Sequence, residues 1–155
     1  MEAGAILSED RKYRYVLWRI WDTSKPSVMF IGLNPSTADE SIDDPTIRRC
    51  INYARSWGYG AIYMTNLFAL RSSKPSELYN SKNPIGDEND KFLLNFQNKC
   101  DLVVACWGNH GSFMNRSSDI KELFNQIKCF GTNQTGQPKH PLYLKKDVQL
   151  IPYNF

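Results

Sequence analysis

The chain has 155 residues, 41% hydrophobic and 23% charged, the balance of an ordinary globular domain with a real core. Its 19 basic and 16 acidic residues leave a formal charge of +3, which permits an anionic partner but lacks the lopsidedness of a strongly basic nucleic-acid footprint. No apolar stretch approaches the roughly 20 residues that span a bilayer, and nothing at the N-terminus resembles a signal peptide. The expectation is one domain over residues 1–155, cytoplasmic and without membrane contact, in which Cys50, Cys100, Cys106 and Cys129 are reduced and buried.

Taken in order, residues 13–21 alternate large apolar with polar or basic side chains and predict a strand with both faces partly covered. Lys25-Pro26 ends it. The unbroken apolar run 28–33 predicts a buried strand, which delivers Gly32-Leu33-Asn34-Pro35 to a sheet edge. There Gly32 permits close backbone approach to a ligand, Pro35 fixes the exit, and Asn34 carries one acceptor and two donors. Asp44-Pro45 is a helix cap followed by proline at the first helical position, so a helix runs to about Trp57 with Ile47, Cys50, Ile51 and Ala54 as its apolar stripe.

Residues 61–68 predict a third strand with Asn66 near its end and Arg71 just beyond. Short helical segments follow at 74–79 and 88–98, then a strand at 101–107 closed by Gly108-Asn109-His110-Gly111. An amphipathic helix at 118–128, a short strand at 129–132 and a polar loop lead to His140-Pro141. Alternating strands and helices predict an α/β fold, a three-layer α/β/α sandwich around a central, mainly parallel sheet.

In such a sheet, loops leaving the carboxyl ends of the strands converge, which gathers Asn34, Asn66, Asn109 or His110, and His140 around one crevice. Amides and imidazoles suit the polar edge of a heterocycle. No carboxylate, thiolate and imidazole cluster stands at ligand spacing, so neither a metal nor another cofactor is expected.

These residues resemble the uracil-DNA glycosylase superfamily. Gly32-Leu33-Asn34-Pro35 is similar to its first motif in the form of the mismatch-specific branch. Met64-Thr65-Asn66-Leu67 with Arg71 resembles the strand whose asparagine reads the base, and His140-Pro141 with Leu144 resembles the His-Pro motif. More closely, the whole sequence resembles a bacterial and phage family of small proteins catalogued as a domain of unknown function. The superfamily resemblance implies a uracil-DNA-glycosylase-like fold and hydrolysis of an N-glycosidic bond on a flipped DNA base. In that reading Asn34 places water, Asn66 reads the base, His140 stabilises the departing anion and Leu144 wedges into the duplex. Gly32, Pro35, Asn109 and His110 line the base site, while Lys139, Lys145 and Arg71 meet DNA.

The chain departs from the superfamily pattern in three places. Residues 36–52 hold no aromatic to stack on the base, Leu142 and Tyr143 stand where the His-Pro motif continues with a small residue, and the cysteines do not match the iron-sulfur branch. A larger or modified base is therefore as plausible a substrate as uracil. A non-catalytic nucleic-acid or nucleotide-binding module, and a free nucleoside or nucleotide hydrolase, are the alternatives.

Overall fold

Seven strands form one mixed sheet in the computed structural model, which describes residues 1–153. They are β1 (Glu2–Leu7), β2 (Arg14–Ile20), β3 (Ser27–Gly32), β4 (Ala61–Asn66), β5 (Leu102–Ala105), β6 (Lys128–Cys129) and β7 (Ile151–Pro152), in the spatial order β1-β2-β4-β3-β5-β6-β7. The helices are α1 (Pro45–Ser56), α2 (Pro75–Asn80), α3 (Asn89–Gln97) and α4 (Arg116–Leu123), with a 3-10 stretch at Asn109–Asn115.

The expectation of a mainly parallel sheet is corrected here. Strand β3 pairs in parallel with β4 and β5, and β5 with β6, but β1–β2, β2–β4 and β6–β7 are antiparallel. Connection length is the reason, because a parallel crossover needs a dozen or more residues and the segments 8–13 and 21–26 are too short for one. Helical crossovers occupy only the middle of the chain. Helix α4 also stops at Leu123, short of the predicted 128, where Phe124 turns to an extended conformation and packs into the core.

Two buried clusters flank the sheet. One combines Val28, Phe30, Ile62 and Met64 with the predicted α1 stripe of Ile47, Cys50, Ile51 and Ala54. The other takes Met29, Ile31 and Val103 with Leu78, Leu93, Phe96 and Ile120 from α2, α3 and α4. Alternate β3 residues thus serve opposite clusters, as a period of two requires. Each large aliphatic so buried contributes roughly 1.5–3 kcal/mol.

Helix α1 begins as its cap dictates. Asp44 accepts a hydrogen bond from the Ile47 N–H at 2.9 Å, with Pro45 at the first position. It ends at Trp57, where Gly58 takes φ +87°, a left-handed conformation that glycine adopts without cost. No helix among the described residues is long and apolar enough to cross a membrane.

Candidate functional site

Past Gly32 and Asn66, the ladder between β3 and β4 continues into the loops, with Leu67 N–H bonded to the Gly32 carbonyl, Phe68 to Leu33 and Ser72 to Pro35. The two loops therefore run side by side. The loop after β6 is pinched by a bridge between Thr132 and Pro138, and the Gly108 N–H donates to the Pro138 carbonyl at 3.0 Å. Across it, Asn109 Oδ1 accepts from Asn133 Nδ2 and Thr135 Oγ1. These ties return Lys139 and His140 to the carboxyl ends of β3, β4 and β5.

The result is a crevice of about 530 Å³. Gly32, Asn34, Pro35, Asn66, Asn109, His110, Lys139, His140 and Leu144 all line it, joined by Arg14, Asp44, Asn133, Trp107 and Tyr143. Lys145 lies outside and exposed, its carbonyl accepting from Tyr53 Oη at 2.8 Å. Arg71 also lies outside, braced against the carbonyls of Ser36, Thr37 and Arg11. Among the described residues no group of His, Cys, Asp or Glu is arranged to hold a metal.

Asn34 is held by its amide nitrogen. Nδ2 lies within 3.2 Å of the Pro35, Leu70 and Ser72 carbonyls and 2.8 Å from Ser72 Oγ, so its two hydrogens are shared among four acceptors. That explains why a neutral amide and not an acid stands here, since a carboxylate would face those carbonyls with no proton to give. Oδ1 has no partner among the described residues and is the atom left for a ligand or water.

Asn66 is buried, and Gly32 makes room for it, for a Cβ on Gly32 would stand 3.0 Å from Asn66 Nδ2 and 2.9 Å from Met64 Cε. Its Oδ1 accepts from Arg14 Nη2 at 3.3 Å. The opposite amide orientation would exchange this for bonds of 3.3 Å from the Asn34 N–H and to the Thr65 carbonyl. The first keeps the bond from a guanidinium that only donates but sets Oδ1 against the Thr65 carbonyl and Nδ2 against the Asn34 N–H, each at 3.3 Å; we favour it because the guanidinium carries charge. Asn66 then presents Nδ2 as a donor.

His140 accepts a hydrogen bond at Nδ1 from the Leu142 N–H at 3.2 Å, which places the proton of the neutral ring on Nε2. Protein packed around the ring pushes its pKa below the ordinary 6.5, opposed by the Asp44 carboxylate. The residue nevertheless stays exposed to solvent. His110 is tied to Tyr79 through Nδ1 and Tyr79 Oη, closing α2 against the 3-10 stretch.

Three features escape the sequence. Arg14 is only 2% exposed, and burial lowers its pKa to about 10, so it stays charged at neutral pH. Asp44, legible only as a cap, brings a carboxylate into the crevice. Tyr143 stands 99% exposed at the rim with φ +68°, whereas Leu144 packs against the α1 cluster. The unusual pairing of bulky Leu142 and Tyr143 after His140-Pro141 was the one sequence signal for Tyr143. Cys106 also lines the crevice, its thiol pushed up to about 12 by burial and thus inert at neutral pH.

A family model described as a protein of unknown function (DUF1643) matches residues 14–142. No curated protein and no solved structure matches the chain.

Proposed function

Because the chain belongs to the DUF1643 family, whose description assigns no activity, we propose its function from the crevice: a DNA-base N-glycosylase acting on an extruded oxo-base. What carries the reading is the meeting of Asn34, Asn66 and His140, from two loops and the last residue of β4, in one crevice beyond the parallel strands. With it goes a three-layer, uracil-DNA-glycosylase-like arrangement, supported by the core clusters that α1 forms apart from α2, α3 and α4.

In the proposed reaction a water held by Asn34 Oδ1 forms a bond to C1′ of the sugar. The C1′–N bond breaks, and the base leaves with the electron pair. Asp44 is the carboxylate available to take the water proton, and His140 Nε2–H donates to a base oxygen as negative charge develops. Asn66 Nδ2 donates to a second carbonyl of the base. Tyr143, exposed at the rim, supplies the aromatic surface missing after the first motif, at the position from which a side chain enters the stack.

The test is abasic-site formation over a panel of duplexes carrying uracil and modified oxo-bases. Product that disappears in Asn66→Ala and His140→Ala supports the reading, and absence of product on every duplex sinks it. The fixed Asn34 amide favours one alternative, a binding module that keeps the pocket without chemistry. It predicts saturable binding of the same duplexes with no product.

A further inference from the structure

Three arginines are almost wholly buried, Arg14, Arg19 and Arg116, and two of them are neutralised inside the fold. Arg19 Nε lies 2.8 Å from Asp43 Oδ1, and Arg116 Nη2 lies 2.6 Å from Asp90 Oδ1 with Asp119 at 3.4 Å. Arg14 has no carboxylate at ion-pair distance among the described residues. It donates to the Ala38 carbonyl at 3.0 Å and to Asn66 Oδ1 at 3.3 Å, and its remaining N–H groups, Nε among them, have no acceptor. It is also the only one of the three that lines the crevice.

A charge withdrawn from water is costly unless something compensates it. Asp44 and Asp39 act on Arg14 through space but make no hydrogen bond to it; Asp44 is engaged as the cap of α1 and Asp39 lies 3.9 Å from Arg11. Lys139 adds a second positive charge to the wall. We propose that Arg14 makes the floor of the crevice a subsite for an anionic oxygen of the ligand, either a phosphate or the ionised carbonyl oxygen of an oxo-heterocycle. The charge acts directly and through Asn66, whose Nδ2 becomes a stronger donor when Oδ1 is bound to a guanidinium. The proposal rests on the crevice being a nucleobase or nucleotide site and needs no catalysis.

The test is calorimetric titration of the full chain at neutral pH and constant ionic strength with two pairs, each an anion and its neutral counterpart. These are uridine 5′-monophosphate against uridine, and barbiturate, an oxo-pyrimidine anion at neutral pH, against uracil. In at least one pair the anion binds about tenfold or more tightly, the lower end of what a nearby opposite charge confers. The preference survives in Arg14→Lys and vanishes in Arg14→Gln. The nucleotide pair responding identifies a phosphate subsite, and the pyrimidine pair an ionised-base subsite.

Equal binding within both pairs, no binding of any probe, or a preference that persists in folded Arg14→Gln overturns the proposal. Should Arg14→Gln not fold, thermal melting of the unaltered protein decides. The preferred anion then raises Tm where sodium chloride of equal ionic strength does not, and no difference between them overturns the proposal. Failure of the glycosylase assay leaves these outcomes untouched, and loss of the anion preference leaves that assay untouched.

Discussion

Arg116 and Arg14 are equally hidden from solvent yet occupy opposite electrostatic situations. Arg116 fastens α4 to the Leu67 carbonyl and to Asp90 of α3 and also pairs with Asp119 of its own helix, so its charge is consumed by the fold. Arg14 lines an open crevice with two acceptors and no ion pair among the described residues. A buried cation that the fold does not neutralise is poor for stability and useful for binding, which separates scaffold from site without recourse to motif.

The largest expected effect sharpens that contrast on the side of chemistry. Asn66→Ala removes the donor at the crevice floor and leaves the Arg14 guanidinium with one acceptor. Turnover on a responsive duplex should fall about 10²–10³-fold, the range for losing a positioned donor. A loss under tenfold in single-turnover kinetics would separate Asn66 from the reaction.

On the structural side, Arg116→Ala leaves a cavity and takes a bond from the Leu67 carbonyl, so urea denaturation should show a loss of about 2–4 kcal/mol. Arg14→Met, of similar length, should cost less, about 1–2 kcal/mol, because it removes an unneutralised charge and fills the space while leaving the Ala38 carbonyl and Asn66 Oδ1 without their donor. Equal losses for the two variants would abolish the distinction between them.

Asn34→Asp tests the locked amide. It places a carboxylate against the Leu70 and Ser72 carbonyls and should destabilise by about 1–3 kcal/mol at neutral pH, with partial recovery as acid protonates it. Unchanged stability across that pH range would mean that the 70–72 loop does not depend on Asn34.

A pH profile gives a smaller effect. The folded pKa of His140 is depressed, so the folded state binds fewer protons than the unfolded chain below the ordinary value of 6.5. Its contribution to stability is complete above 6.5 and is lost as pH falls through the lower folded value. The His140→Gln variant should show a flatter stability curve in that window, and an identical curve would remove His140 from the titration. Smallest of all, exposed Lys145 should change only the salt response. Lys145→Ala should flatten the log-log slope of DNA affinity against salt by about 0.9, while Lys139→Ala should also weaken binding of small anions in the crevice.

Much of the local structure was legible in residues alone. Asp44-Pro45 started α1, Gly58 ended it, and the apolar run after Pro26 became the strand carrying Gly32 and Asn34 to the sheet edge. The loops at Asn34, Asn66, Asn109 and His140 could be assigned to one crevice because strand–helix–strand units put their carboxyl ends on one side. The antiparallel flanks were also within reach, since the six residues between β2 and β3 exclude a parallel crossover, but helix alternation dominated the expectation. Strands β1 and β7 lie outside the alternating segment, and β7 has only two residues, too few for periodicity to register.

The sequence by itself therefore determined the periodic elements, the caps and the order of the loops, all set by neighbours within a few residues. The tertiary structure decided whether each polar group was spent or left free. Arg14, Arg19 and Arg116 are chemically identical in the sequence, and only the fold supplies Asp43 to one, Asp90 and Asp119 to another, and an open crevice to the third. Likewise Leu144 is half-buried and Tyr143 exposed because Leu144, Val148 and Leu150 pack against the cluster that α1 shares with the sheet. Electrostatic compensation and packing are pairings across long stretches of chain, and no local pattern encodes which partner will arrive.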